Sequence, residues 1–270
     1  MIKVGDKIVN FDKFNDGTCY AHIDCSKFEP HAPITWLYDS DEEVMQLWHL
    51  IQHCKDKEGY RRPLCIPYIP NARQDRTKNP DDVFTLKYFA QLINALHLDE
   101  IDAFDLHSDV GAALINHIHV QSPAAVINSI MDMDEMSDTL IFYPDEGAYL
   151  RYRGDLPVPS IFGIKQRNWE DQHIEKLVIG GEKHLIANNN ILIVDDICGS
   201  GKTIKHAATQ LKQLGANKIY VYVSHCENTV LGPHINGQSL VDIPDLIEKI
   251  YTTNSIYRGN HPKIEVIYNF

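Results

Sequence analysis

The stretch from residue 189 to residue 225, NNILIVDDICGSGKTIKHAATQLKQLGANKIYVYVSH, places the tightest limit on the fold of this chain. It reads as an apolar strand, a polar loop, an amphipathic helix, a glycine-containing turn and a second apolar strand. Two neighbouring parallel strands need a crossover of this length, which a helix usually provides. We therefore predict a βαβ unit and a sheet whose strands run mainly parallel.

The rest of the chain continues the alternation of strands and helices. Residues 42–56 and 82–98 carry apolar side chains at helical spacing, and Asp81 and Asp82 suit the positive end of the second helix. Three further short strands are predicted at residues 63–69, 101–104 and 139–143. This order predicts an α/β fold with helices on both faces of a mainly parallel sheet.

Polar clusters follow four of the predicted strands. Their sequences are NARQDR, DLHSD, PDEG and DDICGSGKT. In parallel α/β sheets, ligands bind beyond the carboxyl ends of the strands. We therefore expect the four clusters to converge at one edge of the sheet and to form a site there.

Composition and charge limit the class of protein. The chain has 270 residues, 44% of them hydrophobic and 23% charged, which is typical of a globular protein with one large or two small domains. The formal net charge of −12 argues against a nucleic-acid-binding surface. The sequence has no apolar run of about 18 residues, no apolar core of a signal peptide at its start and only scattered cysteines. We expect a cytoplasmic protein that binds neither membrane nor nucleic acid.

The end of VDDICGSGKT suggests an ATP-binding P-loop, but the pattern fails. The P-loop reads GxxxxGK[S/T], and counting back from Gly201 puts Asp196 at the first glycine. Two acids followed by a small loop and a helix start fit a ribose-phosphate site better. The acids would accept hydrogen bonds from sugar hydroxyls or contact a metal ion, while the loop N–H groups, the Thr203 hydroxyl and the helix dipole would hold the phosphate.

These segments together resemble the ribose-phosphate pyrophosphokinases, also called phosphoribosyl pyrophosphate synthetases. VDDICGSGKT resembles their phosphoribosyltransferase-type loop, and CIPYIPNARQDR (65–76) resembles their ATP-binding segment. The other matches follow in the family's order and are FNDGT (14–18), DAFDLHSD (102–109), YPDEGAYLR (143–151), KQR (165–167) and TTNSI (252–256). The resemblance therefore extends over nearly the whole chain.

The resemblance implies the fold, the reaction and the assembly. It implies two phosphoribosyltransferase-like domains, each with a mainly parallel sheet, at residues 1–135 on the ATP side and 136–270 on the ribose-phosphate side. The implied reaction moves the terminal diphosphoryl group of ATP to the anomeric hydroxyl of a ribose 5-phosphate, releasing AMP. The family implies a homo-oligomer with ATP bound near a subunit boundary, and Mg²⁺ as cofactor.

The resemblance also assigns the nucleotide and catalytic residues. Five residues would bind ATP, namely Phe14, Asp16, Arg73, Gln74 and Asp75. Phe14 and Asp16 would reach the adenine of an ATP bound to a neighbouring subunit. His107 and Asp145 would contact Mg²⁺, and a mobile loop would bring Lys165 and Arg167 over the transferring group. The blander interpretations are surface ion pairs for Arg73, a strand-end cap for His107 and solvated charge for Lys165 and Arg167.

The sugar phosphate would be held by the loop after the long apolar strand. Asp195 and Asp196 would bind the ribose hydroxyls, and the remaining loop residues would bind the phosphate, namely Cys198, Gly199, Ser200, Gly201, Lys202 and Thr203.

This chain departs from the family pattern inside that loop. Gly199 stands where the family has a third acid, and Lys202 stands where it has a small residue, while Thr18 replaces an N-terminal acid. The loop changes alter the local charge by about two units. One explanation is neutral drift. The other is an acceptor with more negative charge at the 5-position, for which ADP-ribose qualifies, with Gly199 leaving room beyond the phosphate.

The residues leave alternatives open. Ribose 5-phosphate and ADP-ribose are both acceptors compatible with the loop. A phosphoribosyltransferase would share the loop but would not need NARQDR or DLH. A non-catalytic regulatory relative would be expected to lose His107, Lys165 or Arg167, and all three are present.

Overall fold

Two separate sheets organise the chain in a computed structural model, one in residues 1–122 with Phe270 and the other in residues 123–269. The structure describes residues 1–156, 160–167, 174–180 and 183–270, with side chains for all of these except residues 160, 164–167 and 174–178. Among the helices of the described residues, none combines the length and the apolar character that crossing a membrane requires. The domain boundary expected between residues 135 and 136 stays a prediction.

The first unit has a six-stranded sheet. Its elements are β1 (Ile2–Val4), β2 (Lys7–Ile8), β3 (Asp12–Lys13), β4 (Cys19–Tyr20), β5 (Ile34–Trp36), α1 (Glu43–Glu58), β6 (Leu64–Cys65), α2 (Thr85–Asn94), β7 (Ile101–Phe104), α3 (Asp109–Leu114) and β8 (Ile118–Gln121). The strand order is β2-β1-β5-β6-β7-β8, in which β5 to β8 run parallel and β1 is antiparallel to both of its neighbours. Strands β3 and β4 form a separate hairpin.

Helical spacing predicts α1 well, because its buried residues Leu47, Leu50, Ile51 and Cys54 form one face. Helix α2 is shorter than expected and begins at Thr85. The Asp82 carboxylate accepts hydrogen bonds from the backbone N–H groups of residues 78 and 79. The expectation that Asp82 lies at the start of α2 is therefore wrong, because this carboxylate closes the preceding turn.

The second unit has a seven-stranded sheet. Its elements are α4 (Ala124–Met131), β9 (Thr139–Tyr143), α5 (Glu146–Tyr152), β10 (Ser160–Arg167), β11 (Ile174–Gly180), β12 (Asn190–Cys198), α6 (Lys202–Gln213), β13 (Ile219–Cys226), β14 (Lys249–Thr253) and β15 (Ile264–Tyr268). The strand order is β11-β10-β9-β12-β13-β14-β15, and every pair is parallel except β10 with β11.

Both sheets are mainly parallel and flanked by helices, so the predicted fold class is confirmed. The predicted βαβ unit is also present, since β12 and β13 pair in parallel and α6 connects them. All eight residues of β13 are buried, as a central parallel strand requires. Short 3₁₀ turns complete the fold, at Cys25–Lys27, Asp134–Met136, Lys183–Leu185, Asn228–Leu231 and Leu240–Asp242.

Two expectations need correction. The four polar clusters do not follow strands of one sheet, because two follow β6 and β7 in the first unit and two follow β9 and β12 in the second. The predicted loop at residues 165–167 is also wrong for the backbone, which belongs to β10 and pairs with β11 at Lys165 and Arg167. The alternation of apolar and polar residues that marks a strand is hard to detect where the strand contains charged residues, as β10 does.

The turn before α6 depends on a glycine at position 201. Gly201 has a φ of +80°, in the left-handed region that favours glycine. A Cβ atom there would lie 2.6 Å from Cδ2 of Leu240, a residue of the buried core. The backbone and the packing therefore both exclude a side chain at this position.

We expect Gly201→Ala to lower the free energy of unfolding by about 2–4 kcal/mol, through left-handed strain and overpacking against Leu240. Gly237→Ala is the matched control, because Gly237 has a φ of +82° and no atom within 4 Å of the added Cβ. Urea unfolding of both variants separates the two contributions. Equal destabilisation of the two variants would contradict the packing contribution.

Candidate active site

The order of strands in the second sheet creates a natural binding site. From β9 the chain moves outward to β10 on one side, then returns to place β12 on the other side of β9. In open α/β sheets, ligands bind beyond the strand ends where the strand order reverses. Asp145 follows β9, and Asp195 and Asp196 end the apolar part of β12, so the sheet places all three at this edge.

The loop from Gly199 to Thr203 offers hydrogen-bond donors at the same edge. Within the described contacts, the backbone N–H groups of Ser200, Gly201, Lys202 and Thr203 have no acceptor in the protein. These groups belong to the loop and first turn of α6, where the helix dipole adds partial positive charge. Such an arrangement binds anions, phosphate groups in particular.

The two acids of β12 differ in their surroundings. Asp195 is half-buried, and its carboxylate accepts a hydrogen bond of 3.0 Å from the backbone N–H of Asp196. Asp196 is buried, and its carboxylate lies 3.0 Å from the Arg151 guanidinium of α5. Asp195 is therefore the more accessible acceptor for a ligand hydroxyl, and Asp196 is held by an ion pair.

Arg151 is itself held in place by its neighbour in sequence. Its Nη1 donates to the Tyr152 hydroxyl at 3.3 Å, and its guanidinium lies 5.4 Å from the centre of that ring. Tyr152 is buried. The pair therefore connects α5 to β12 across the reversal point of the sheet.

Asp145 is the N-cap residue of α5. The acidic turn expected from the sequence after β9 is therefore the first turn of this helix. One carboxylate oxygen of Asp145 accepts a hydrogen bond of 2.9 Å from the Ala148 N–H.

The other predicted loop residues have distinct positions. The Cys198 thiol is in the core beside Cys226, and this hydrogen-bonded partner together with burial raises the pKa of Cys198 well above its ordinary value. Its side chain is therefore not a phosphate ligand in this structure. Ser200 and Thr203 are half-buried, while Lys202 is exposed as the first residue of α6.

The first unit gathers a second set of polar groups at the ends of β6 and β7. Asp75 is buried, and its carboxylate receives two hydrogen bonds from Arg76, at 2.9 and 3.2 Å. The Ser108 hydroxyl is close enough to lower the pKa of Asp75, although it falls outside the geometry of a formed hydrogen bond. The sheet therefore brings the NARQDR and DLHSD segments together, as predicted for this pair of strands.

Burial raises the pKa of Asp75, but the hydrogen bonds from Arg76, the nearby Ser108 hydroxyl and the charges of Arg76 and His107 outweigh it. The net result is a pKa below the ordinary value of an aspartate. Arg73 and Gln74 are exposed in the same turn, and the Gln74 amide oxygen accepts a hydrogen bond from Thr85. Arg73 and Gln74 can thus reach a ligand, whereas Asp75 holds Arg76.

Phe14 and Asp16 lie at the tip of the β3–β4 hairpin. Phe14 is 57% exposed and stacks on Tyr20 with a centroid distance of 4.3 Å. The Asp16 carboxylate accepts hydrogen bonds from the hydroxyl and N–H of Thr18, which lower its pKa. The hairpin therefore presents an exposed aromatic face next to a carboxylate.

The predicted metal residues and catalytic cations are distributed over both units. The described residues contain no group of three or more His, Cys, Asp or Glu side chains that could hold a metal ion by themselves. His107 belongs to the first unit and Asp145 to the second. The side chains of Lys165 and Arg167 are outside the described part of the chain, and their roles stay predictions.

Sequence reasoning missed Arg151 as a site residue, and it missed Ser108. Both belong to quoted segments, YPDEGAYLR and DAFDLHSD, but neither residue type is diagnostic by itself. Only the adjacency of β9 with β12 and of β6 with β7 places these side chains beside Asp196 and Asp75.

We expect Asp75→Asn to destabilise the protein at pH 7 by about 1 kcal/mol, since Arg76 is 72% exposed and solvent screens the pair. The folded pKa lies below the unfolded value of about 3.9, so the stabilisation is present above that value and is lost as pH falls through the folded pKa. The difference in unfolding free energy between wild type and variant should therefore begin to shrink below about pH 4 and close as pH falls through the folded pKa. Urea unfolding midpoints across pH test this, with the exposed Asp81→Asn as control, and a pH-independent difference would contradict it.

We expect Arg151→Met to cost about 3 kcal/mol of unfolding free energy, because it removes a cation from a buried carboxylate. Adding Asp196→Asn should recover part of this loss. A double-mutant cycle by urea unfolding should give a coupling above about 0.5 kcal/mol, and additive effects would show that the two side chains do not interact energetically.

Comparisons with known proteins agree with this architecture. Residues 4–96 match the family described as the N-terminal domain of ribose phosphate pyrophosphokinase, and residues 150–249 match the phosphoribosyl transferase domain. Together these matches cover more than half of the chain.

Individual relatives cover most of the chain. It is 28% identical over 222 residues to a ribose-phosphate pyrophosphokinase of Thermococcus kodakarensis, covering 80% of this chain and 77% of that one. It is 28% identical over 221 residues to the same-named protein of Chlorobaculum tepidum, covering 80% of this chain and 65% of that one.

The fold is also that of a solved relative. The crystal structure of phosphoribosylpyrophosphate synthetase from Mycobacterium smegmatis superposes with a TM-score of 0.75, covering 97% of this chain and 86% of that one at 18% identity. The two family matches, supported by this common fold, establish that the chain belongs to the ribose-phosphate pyrophosphokinase family, whose members are diphosphotransferases.

Proposed function

We propose that the protein transfers the terminal diphosphoryl group of ATP to the anomeric hydroxyl of a ribose 5-phosphate unit, releasing AMP. The observation that carries this proposal is the loop of unpaired N–H groups beside two carboxylates, at the reversal point of a mainly parallel sheet. Membership in the ribose-phosphate pyrophosphokinase family supports it.

On the sugar side, Asp195 accepts hydrogen bonds from ribose hydroxyls, since its carboxylate is the more exposed of the pair. Asp196 acts mainly through position, because Arg151 holds it. The N–H groups of Ser200 to Thr203 and the Thr203 hydroxyl bind the 5-phosphate. A fixed sugar places its anomeric oxygen for attack, and such positioning supplies much of the catalysis of phosphoryl transfer.

On the nucleotide side, we propose that Arg73 and Gln74 contact ATP directly. Asp75 orients Arg76 through a two-point ion pair. The Arg76 side chain is more exposed than that of Asp75, so its guanidinium can pair with a phosphate. Phe14 supplies an aromatic face for the adenine of a nucleotide bound to a neighbouring subunit. This arrangement requires a homo-oligomer.

Magnesium fits this chain as an ion that the nucleotide brings. Mg²⁺ usually keeps several waters and binds through phosphates with one or two carboxylates. The absence of a three-residue ligand group among the described residues agrees with that mode. His107 would contact the hydrated ion from the nucleotide side, and the ion neutralises phosphoryl charge when bound. The role of Asp145 toward the ion stays a prediction from the sequence.

Lys165 and Arg167 are proposed to stabilise the negative charge that spreads over the transferring group. The backbone at both residues belongs to the β10–β11 hairpin, so a moving hairpin would have to replace the moving loop expected from sequence.

The site would lie in the cytoplasm, where ATP and sugar phosphates are available.

Ribose 5-phosphate is the acceptor that we propose first, and ADP-ribose second. Lys202 is exposed at the start of α6, which leaves its charge available to a second phosphate. The room expected beside Gly199 is not open, because the Glu227 carboxylate comes within 3.2 Å of where a Cβ would be. Only the charge argument thus supports ADP-ribose. A simple phosphoribosyltransferase fits less well, since residues 4–96 match the pyrophosphokinase N-terminal domain.

The test is a mass-resolved product assay with ATP, Mg²⁺ and each sugar offered singly and in competition. We expect AMP and a sugar carrying a new diphosphate, and Asp195→Ala should lower the rate by roughly a hundredfold. Glu265→Gln, an exposed carboxylate on β15 at the far side of the sheet order, should leave the rate unchanged. Release of ADP, or no sugar-dependent product, would contradict the proposal and favour a phosphokinase or a binding protein.

A further inference from the structure

A carboxylate that no family motif supplied lies against the sugar-phosphate loop. The side chain of Glu227 places its two oxygens 3.2 and 3.3 Å from the position that a Cβ atom on Gly199 would take. Gly199 lies between the acids of β12 and the N–H groups of residues 200–203. Glu227 therefore reaches the loop between its two binding elements.

The sheet and a turn hold Glu227 in place. Its backbone N–H donates to the Cys198 carbonyl at 2.8 Å, which extends the parallel pairing of β12 and β13 by one residue. Its Oε2 accepts a hydrogen bond of 2.9 Å from the Thr229 hydroxyl. The residue is half-buried, so its carboxylate is both ordered and reachable.

The backbone does not demand a glycine at position 199, where the Glu227 carboxylate comes close. The φ of Gly199 lies outside the left-handed region, in contrast to that of Gly201. A side chain at position 199 would meet the Glu227 carboxyl group at less than ordinary van der Waals distance. The two positions therefore border the same space, and a side chain at position 199 would require the Glu227 carboxylate to shift.

The chemistry of a carboxylate decides what it binds here. An ionised carboxylate only accepts hydrogen bonds, so it repels a phosphate and attracts hydroxyl groups. In the proposed function, on which this inference rests, the sugar ring spans from the acids of β12 to the N–H groups that hold its phosphate. We propose that Glu227 is a further sugar-binding residue, whose carboxylate accepts a hydrogen bond from a ribose hydroxyl.

The experiment measures direct binding of ribose 5-phosphate and of ATP by calorimetry on the full chain. The variants are Glu227→Gln, Glu227→Ala and the double variant Glu227→Ala with Gly199→Asp, which moves the carboxylate to the loop itself. Glu248→Gln is the matched control, since Glu248 precedes β14 and so lies at the opposite end of the parallel strands. Urea unfolding of each variant checks the fold.

We expect Glu227→Gln and Glu227→Ala to raise the dissociation constant of ribose 5-phosphate roughly tenfold to a hundredfold, as for a lost charged hydrogen bond. ATP affinity should not change. The double variant should recover most of the sugar affinity, which a purely structural role for Glu227 would not produce.

Unchanged sugar binding in Glu227→Gln, equal weakening of sugar and ATP binding, or a double variant without recovery would each overturn the inference while leaving the proposed function intact. A wild-type protein that binds no ribose 5-phosphate and forms no sugar-dependent AMP would overturn both.

Discussion

The position of β12 between β9 and β13 is the constraint on which the site depends. Parallel pairing on both sides fixes where β12 ends, and its end carries Asp195, Asp196 and the loop that follows. Because β9 and β12 are neighbours although far apart in sequence, Asp145 and Arg151 come to the same edge. A sheet with the same strands in another order would separate these groups, so the topology creates the site before any ligand is bound.

The sequence predicts much of this architecture because the long apolar runs and periodic helices are local signals. The βαβ unit of β12, α6 and β13 and the helix α1 could all be read from spacing. The two- and three-residue strands β1 to β5 could not, since so few residues cannot establish a period. The strands β10 and β11 were not predicted either. Charged residues within β10 also resemble a loop when pairing partners are unknown.

The candidate site was predictable where a motif is continuous and not where it depends on pairing between distant segments. The loop 195–203 follows from one stretch of sequence. The contacts of Asp196 with Arg151, of Asp75 with Ser108 and of Gly199 with Glu227 all depend on which strands are neighbours. An acid missing from a motif can therefore be present in the site, supplied by an adjoining strand, and counting charges along a loop misstates its electrostatics.

The overlap that a side chain at Gly201 would make with Leu240 has a consequence for how this loop can change. Leu240 lies in a short turn well beyond α6 and β13, yet its side chain leaves no space for a side chain at the bend that precedes α6. The segment GSGKT is therefore matched to this fold by packing: on another sheet, without Leu240, position 201 would lose the contact that excludes a side chain. A substitution at position 240 would change the packing against this bend while every residue of the loop stays the same.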